Sequence, residues 1–255
     1  MLIGYEERIK AFKNLAKSGN LGQSYLFFGD HGVGKSSFAK SLGYFLEFGD
    51  FEIGGRSLVN MRVFRPNEKN VIGIGEAMNV RHFLWETPLG GGRRFAIIDN
   101  AETLTPEAQG AMLKIVEEPP TKALLVFVTY DAEALFPPLL SRLTKIYFPR
   151  LPRKTVGEIL MKDYKVPAEE AERLAAESFG SLGRALDTHY LGQKTAAEPD
   201  LTSEIEEEIL ALRQSNLKKN APKIGFLLNK LTLLKRYNLN ENLARRAIVY
   251  EIQKL

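Results

Sequence analysis

Short runs of apolar residues recur through the first 150 positions of this chain, and between them apolar residues fall at helical spacing instead. The runs are Tyr25–Phe28, Met61–Phe64, Phe95–Ile98, Leu124–Val128 and Lys145–Phe148. Their length suits strands, and their apolar residues follow one another rather than alternating, the pattern of strands covered on both faces. Strands alternating with helical segments predict a parallel five-stranded sheet between helices, an α/β fold. Phe38, Leu42, Phe45 and Leu46, at i, i+4, i+7 and i+8, mark one of those helices. Thr105-Pro106-Glu107 starts another, with threonine as N-cap and proline at the first helical position. Ala108, Ala111, Met112, Ile115 and Val116 form its expected buried face, and Pro119-Pro120 ends it.

The pattern changes at Pro149–Pro152. From Lys154 to Tyr190 it is purely helical, with breaks at Val166-Pro167 and Gly180-Ser181, which predicts a small three-helix unit. Gln193–Pro199 reads as a linker. Beyond it, three short helices are expected: one with Ile205, Ile209 and Leu212, a second with Leu227, Leu228, Leu231 and Leu234, and a third with Leu243, Ala247 and Ile252. The domain reading is therefore 1–150 for the sheet module, 151–192 for the three-helix unit and 193–255 for a helical C-terminal segment.

Composition narrows the setting. There is no cysteine, which excludes disulfides and thiolate metal sites and suits a reducing compartment. No apolar run approaches membrane-spanning length, and the charged N-terminus MLIGYEERIK lacks the apolar core of a signal peptide, so a soluble cytoplasmic protein is expected. The net charge of +4 is too mild to announce a nucleic-acid binder. Basic residues concentrate late, among them Lys218, Lys219, Lys223, Lys230, Lys235, Arg236, Arg245 and Arg246, as solvated helix faces commonly do.

The candidate chemistry starts at Gly29–Ser36, GDHGVGKS, which fits the P-loop pattern at every position. Gly29, Gly32, Val33 and Gly34 would curl backbone N–H groups around phosphates, Lys35 would reach the terminal oxygens, and Ser36 would ligate magnesium, with Ser37 next in the helix. An expected strand before the loop and an expected helix after it supply the context the motif requires. Asp99 closes the strand Phe95–Ile98 at the edge where ligands of parallel sheets collect.

Taken with AQGAMLKIVEEPP at Ala108–Pro120 and Ser141-Arg142-Leu143, these residues make the chain resemble bacterial clamp-loader ATPases of the extended AAA+ class, most of all the delta-prime subunits of DNA polymerase III. The resemblance runs from Ile3 to about Leu186. It implies an AAA+ module, a helical lid and a collar-like C-terminal segment. It implies ATP and magnesium as ligands, with Asp99 beside the metal and Thr129 as a sensor of the γ-phosphate. Arg142 is implied to be a finger reaching the nucleotide of a neighbouring subunit. The implied partners are other clamp-loader subunits, motor and delta-like, with the sliding clamp and primer-template DNA met through the assembly.

Three departures qualify what the resemblance implies. Where hydrolysing relatives carry glutamate after the strand aspartate, this chain has Asn100, and an amide is no general base. Glu102, two residues on, is expected to be aimed elsewhere by the turn. The lid reads Gly180-Ser181-Leu182-Gly183-Arg184-Ala185-Leu186, with its arginine one position later than the family pattern, about 100° around a helix. The place of a relative's four-cysteine zinc module, Glu47–Asn60, has no cysteine, so no zinc is expected. An active motor ATPase remains the alternative reading.

Overall fold

The computed structural model describes residues 4–191 and 201–237. The chain divides into two compact units, Met1–His189 and Tyr190–Leu255.

The first unit is built on strands β1 (Ser24–Phe28), β2 (Met61–Phe64), β3 (Arg94–Asp99), β4 (Ala123–Thr129) and β5 (Thr144–Tyr147), each within a residue or two of its expected run. They form one sheet in the order β2-β3-β4-β1-β5, and every pair is parallel. The central strands β1, β3 and β4 are buried on both faces and the pleat divides each of them between two cores, whereas the edge strand β5 is mostly exposed. Tyr25 and Phe27 of β1, Phe95 and Ile97 of β3, and Leu124 and Val126 of β4 enter one core. Leu26, Ala96, Ile98, Leu125 and Phe127 enter the other. That is why the runs read as continuously apolar.

Helices α1 (Glu6–Lys17) and α2 (Lys35–Phe48) cover the first face. Phe12 and Phe38 meet Phe27 there edge-on, with ring centroids 5.8 Å apart in both cases. The second face is covered by α3 (Ile74–Trp85), α4 (Pro106–Glu117) and the single turn α5 (Pro137–Leu140). The Thr105 hydroxyl accepts from the Ala108 N–H at 3.3 Å, so the helix begins as its N-cap sequence predicts. Ala108, Met112, Ile115 and Val116 are buried, and so is Gln109, whose amide donates to Leu104 and Ala134 carbonyls and accepts from the Phe136 N–H. Glu47–Asn60 is held by a carboxylate: Glu47 accepts from the Val59 and Asn60 N–H groups at 3.0 and 3.1 Å.

After the sheet come α6 (Arg153–Asp163), α7 (Ala168–Glu177) and α8 (Leu182–Leu191). Val156, Ile159, Leu160, Ala171, Leu174 and Ala185 from these helices join the first core. The start of α8 lies directly on the chain at Gly32: the Gly183 N–H donates to the Gly32 carbonyl at 2.8 Å, and a Cβ on Gly183 would stand 2.7 Å from the Gly32 Cα.

In the second unit, α9 (Leu201–Tyr237) is helical along its whole length. Yet Ile205 and Leu227 are buried in one cluster with Ile209, Leu212, Phe226 and Leu231. In a straight helix they would lie about 33 Å apart, so the helix doubles back on itself. The Asn220 side chain donates to the Leu212 carbonyl at 2.9 Å, which places the reversal between those residues. The two expected helices at Ile205–Leu212 and Leu227–Leu234 are thus two limbs of one helical segment. The third, with Leu243, Ala247 and Ile252, lies outside the described residues.

The contact at Gly183 sets a stability test. Adding one methyl there presses on backbone that cannot turn aside, and overpacking of this kind costs about 1–3 kcal/mol. Gly183→Ala should therefore lower the urea midpoint. Gly110→Ala, in α4 with open space around the new Cβ, should raise stability by about 0.5–1 kcal/mol. Equal effects of the two variants would remove the packing explanation.

Candidate functional site

Parallel strands send their carboxyl ends the same way, and three of them deliver the candidate residues. β1 runs into the glycine loop, β3 ends on Asp99 and β4 ends on Thr129. The register sets Phe28 beside Thr129 and Asp99 beside Val128, so the three ends are neighbours.

The loop bends where its glycines allow. Gly29 and Gly32 have φ of 142° and 71°, and a Cβ on either would stand 2.2 Å from the Phe148 carbonyl oxygen or 2.4 Å from Ser181 Oγ. Val33 is buried, and its carbonyl accepts a hydrogen bond from the Tyr5 hydroxyl. Tyr5 itself sits edge-on to Phe38 and Phe148. Ser181 donates from its hydroxyl to the His31 carbonyl at 2.9 Å and accepts the Arg184 N–H at 3.2 Å, capping α8 against the loop. Arg150 pairs with Asp30 at 2.5 Å. None of Tyr5, Ser181 or Arg150 stands out in the sequence as part of a phosphate loop; Ser181 alone carried a signal, as a polar residue just before a helix.

Lys35 opens α2 and is 7% exposed. Its ammonium donates to the Gly29 and Asp30 carbonyls at 2.8 and 2.6 Å. Burial pulls it down to about 8, against the opposing pull of Glu102, Asp30 and Asp99. Ser37 follows on α2, where it is exposed. The Ser36 hydroxyl donates to Asp99 Oδ2 at 2.9 Å, and Arg65 Nε stands 3.5 Å from the same oxygen. A hydroxyl and a carboxylate facing each other are hard oxygen donors of the kind magnesium takes, so the residues fit that ion.

Beyond Asp99 the chain corrects one expectation. Asn100 adopts the left-handed conformation at φ 58°, and a tight turn follows over Ala101–Thr103. Two backbone hydrogen bonds with Ile72, each 3.0 Å, pin that turn. Glu102 is consequently aimed into the site rather than away from it: its Oε2 lies 2.6 Å from Thr129 Oγ1. That hydroxyl also lies 2.9 Å from the Asp131 carbonyl and accepts the Asp131 N–H. Burial raises the Glu102 carboxyl, opposed by the Thr129 hydrogen bond and by Lys35.

Arg142 stands apart from this group, after α5. It pairs with Glu117 at the end of α4 at 2.8 Å and donates to the Pro138 carbonyl at 2.9 Å, remaining 42% exposed. Gly183 lies at the start of α8, and Arg184, next along, has its guanidinium 5.9 Å from the Phe179 ring centroid. Among the described residues no group of three or more His, Asp or Glu could hold a metal, and no helix is long and apolar enough to cross a membrane.

The family described as DNA polymerase III, delta subunit matches residues 52–152. The gamma/tau subunit of DNA polymerase III from Mycobacterium tuberculosis is 26% identical over 174 residues, 63% of this chain and 30% of that protein. Replication factor C subunit 3 of Saccharomyces cerevisiae is 27% identical, covering 84% of this chain and 64% of its own length. The chain thus spans 30% of the length of the first gamma/tau relatives. Among solved structures, a DNA polymerase III gamma subunit-related protein from Thermotoga maritima superposes with a TM-score of 0.57 at 19% identity, covering 95% of this chain and 98% of that one. RuvB from the same organism, a Holliday junction branch migration motor, gives 0.53 at 17% identity, over 91% of this chain and 70% of that one. These two show the same fold.

Tyr5 offers a test of how the loop is held. Burial pushes its hydroxyl up to about 12, opposed by Arg8. A raised phenol contributes stability that is complete below its unfolded value near 10 and is lost as pH climbs toward 12. Tyr5→Phe should be less stable than the parent by about 1 kcal/mol at pH 8, and that deficit should shrink between pH 9.5 and 11. A gap constant across that range, by urea denaturation, would show that the hydroxyl is not held neutral in the fold.

Proposed function

We propose that the chain, similar to the DNA polymerase III delta subunit family over residues 52–152 and to gamma/tau subunits, is a clamp-loader AAA+ protein and serves as a delta-prime-like subunit in a DNA polymerase III assembly that loads the sliding clamp on primed DNA. In this reading it contributes an AAA+ module and an arginine to a neighbour, and it hydrolyses little or no ATP itself. The observation that carries the reading is Asn100. It follows the strand aspartate at the turn, and its amide has no basic lone pair with which to take a proton from water. The glycine at position 183 supports it, since the lid meets the loop through backbone where relatives place a charge.

Nucleotide binding without turnover fits the same residues. The loop backbone from Gly29 to Gly34, with Lys35, would hold phosphates, Ser36 and Asp99 would hold magnesium, and Thr129 stands at the strand end nearest the loop. Magnesium, when bound with ATP, would neutralise phosphate charge. Arg142, exposed and paired with Glu117 in this chain, would be the residue offered to a neighbour. The partners proposed are motor and delta-like subunits, with clamp and primer-template DNA reached through them. Contact with DNA would run through lysine and arginine to phosphates, without base reading.

One observation favours a second reading. The relatives that match include gamma/tau subunits, and the P-loop is complete, as in a motor ATPase. A steady-state assay separates the two. The purified chain should turn over ATP negligibly, whereas turnover near one per second that Lys35→Ala abolishes would establish the motor. Mg-ATP should nonetheless raise the melting temperature of the parent by mass action and fail to do so for Lys35→Ala.

Arg142→Ala should leave folding within about half a kcal/mol and leave this chain's own nucleotide binding untouched. In an assembly reconstituted with motor subunits, clamp and primed DNA, the same change should cut ATPase and loading severely, since such fingers are worth ~10³–10⁵ at the site they serve. Unchanged loading with the assembly intact would leave Arg142 as the partner of Glu117 alone.

A further inference from the structure

We propose that the Glu102 carboxylate occupies the subsite of a nucleotide's third phosphate, so that this site takes a nucleoside diphosphate in preference to a triphosphate. The proposal rests on the reading of Gly29–Ser36 as a nucleotide-binding loop. Thr129 ends β4 beside Phe28, the residue from which the chain enters that loop, and its neighbour Val128 lies beside Asp99. Thr129 therefore ends the strand that lies between the one entering the loop and the one ending on Asp99, and in the proposed reading a third phosphate would lie against its hydroxyl. What it meets is a carboxylate oxygen at 2.6 Å. Carboxylates and phosphates are recognised by the same donors, and an anionic acceptor makes such a bond strong.

The same carboxylate acts on Lys35, ahead of Asp30 and Asp99 in its effect on the ammonium. Two groups that would serve a third phosphate, the Thr129 hydroxyl and the Lys35 ammonium, are thus already addressed by an anion belonging to the chain. The turn holds it there. Asn100 reverses the backbone, Ala101 is fully buried, and the hydrogen bonds of Thr103 and Thr105 with Ile72 fix the chain just after Glu102. A triphosphate must expel Glu102 from Thr129 or set its last phosphate against a carboxylate in a partly desolvated place, where like charges repel strongly. A diphosphate ends short of that position and needs the loop backbone and Lys35 alone.

Isothermal titration of the full chain with Mg-ADP and Mg-ATP at pH 7.5 tests this, on the parent and on Glu102→Gln, which keeps the shape and the hydrogen bond to Thr129. The parent should bind Mg-ADP at least tenfold tighter than Mg-ATP. Glu102→Gln should bring the two within about threefold, through a gain for Mg-ATP with little change for Mg-ADP. Equal affinities in the parent, or a preference that survives Glu102→Gln, would overturn the proposal while leaving the nucleotide site standing. If neither protein binds either nucleotide to millimolar concentration while both melt cooperatively, the nucleotide site itself fails and the proposal falls with it. Should Glu102→Gln not fold, the ratio of the two affinities in the parent decides alone.

Discussion

A sheet buried on both faces leaves only its ends for chemistry. Here the five strands are parallel, so all five carboxyl ends point one way and the loops that leave them must converge. The aromatic packing of Phe12, Phe27, Phe38 and Phe148 on one face, and of α3 and α4 on the other, fixes the strands against sliding. A slip of one residue would exchange the two faces of every strand. The adjacency of the glycine loop, Asp99 and Thr129 is therefore a consequence of core packing. No side chain in the site needs to hold the strands together.

Given that frame, charge decides the local arrangement. Lys35 is buried with two carbonyls as acceptors, and Glu102, Asp30 and Asp99 surround it at longer range. A buried ammonium of this kind costs solvation energy that hydrogen bonds and anions only partly return. Asp99 shares its carboxylate between the Ser36 hydroxyl and Arg65. Each anion in the site has a donor within reach, and the Lys35 ammonium and the Ser36 and Thr129 hydroxyls already face oxygens. The site is thus organised in advance by the chain's own groups, which stand in the directions a phosphate and a hard cation would use.

The strands, α4 with its cap and the glycine loop could be read from sequence, because each depends on local spacing: apolar runs, a Thr-Pro start, glycines at set intervals. What could not be read depends on long-range closure. Tyr5 reaches Val33 across 28 residues and Ser181 reaches His31 across 150; no periodicity records either bond. Glu102 was misplaced for a related reason. Its direction follows from the left-handed Asn100 and from hydrogen bonds to Ile72, a residue some thirty positions earlier. The doubling back of α9 shows the opposite case. Its backbone is helical throughout, and the shared cluster of Ile205 and Leu227 together with the Asn220–Leu212 hydrogen bond reveals the two limbs that the apolar spacing implies.

The lid adds the last constraint. Here Gly183 and Gly32 meet backbone to backbone, and Ser181 joins them through the His31 carbonyl. Such contacts are short, uncharged and available whether or not a phosphate lies in the loop. They make the closed arrangement a property of the fold. Helix α8 is thus held against the loop by the chain itself, with the Glu102 carboxylate beside Thr129 as an anion of its own. In the proposed function, Asn100 without a basic lone pair and Gly183 without a side-chain charge would share one physical meaning, since neither could help to attack or sense a third phosphate.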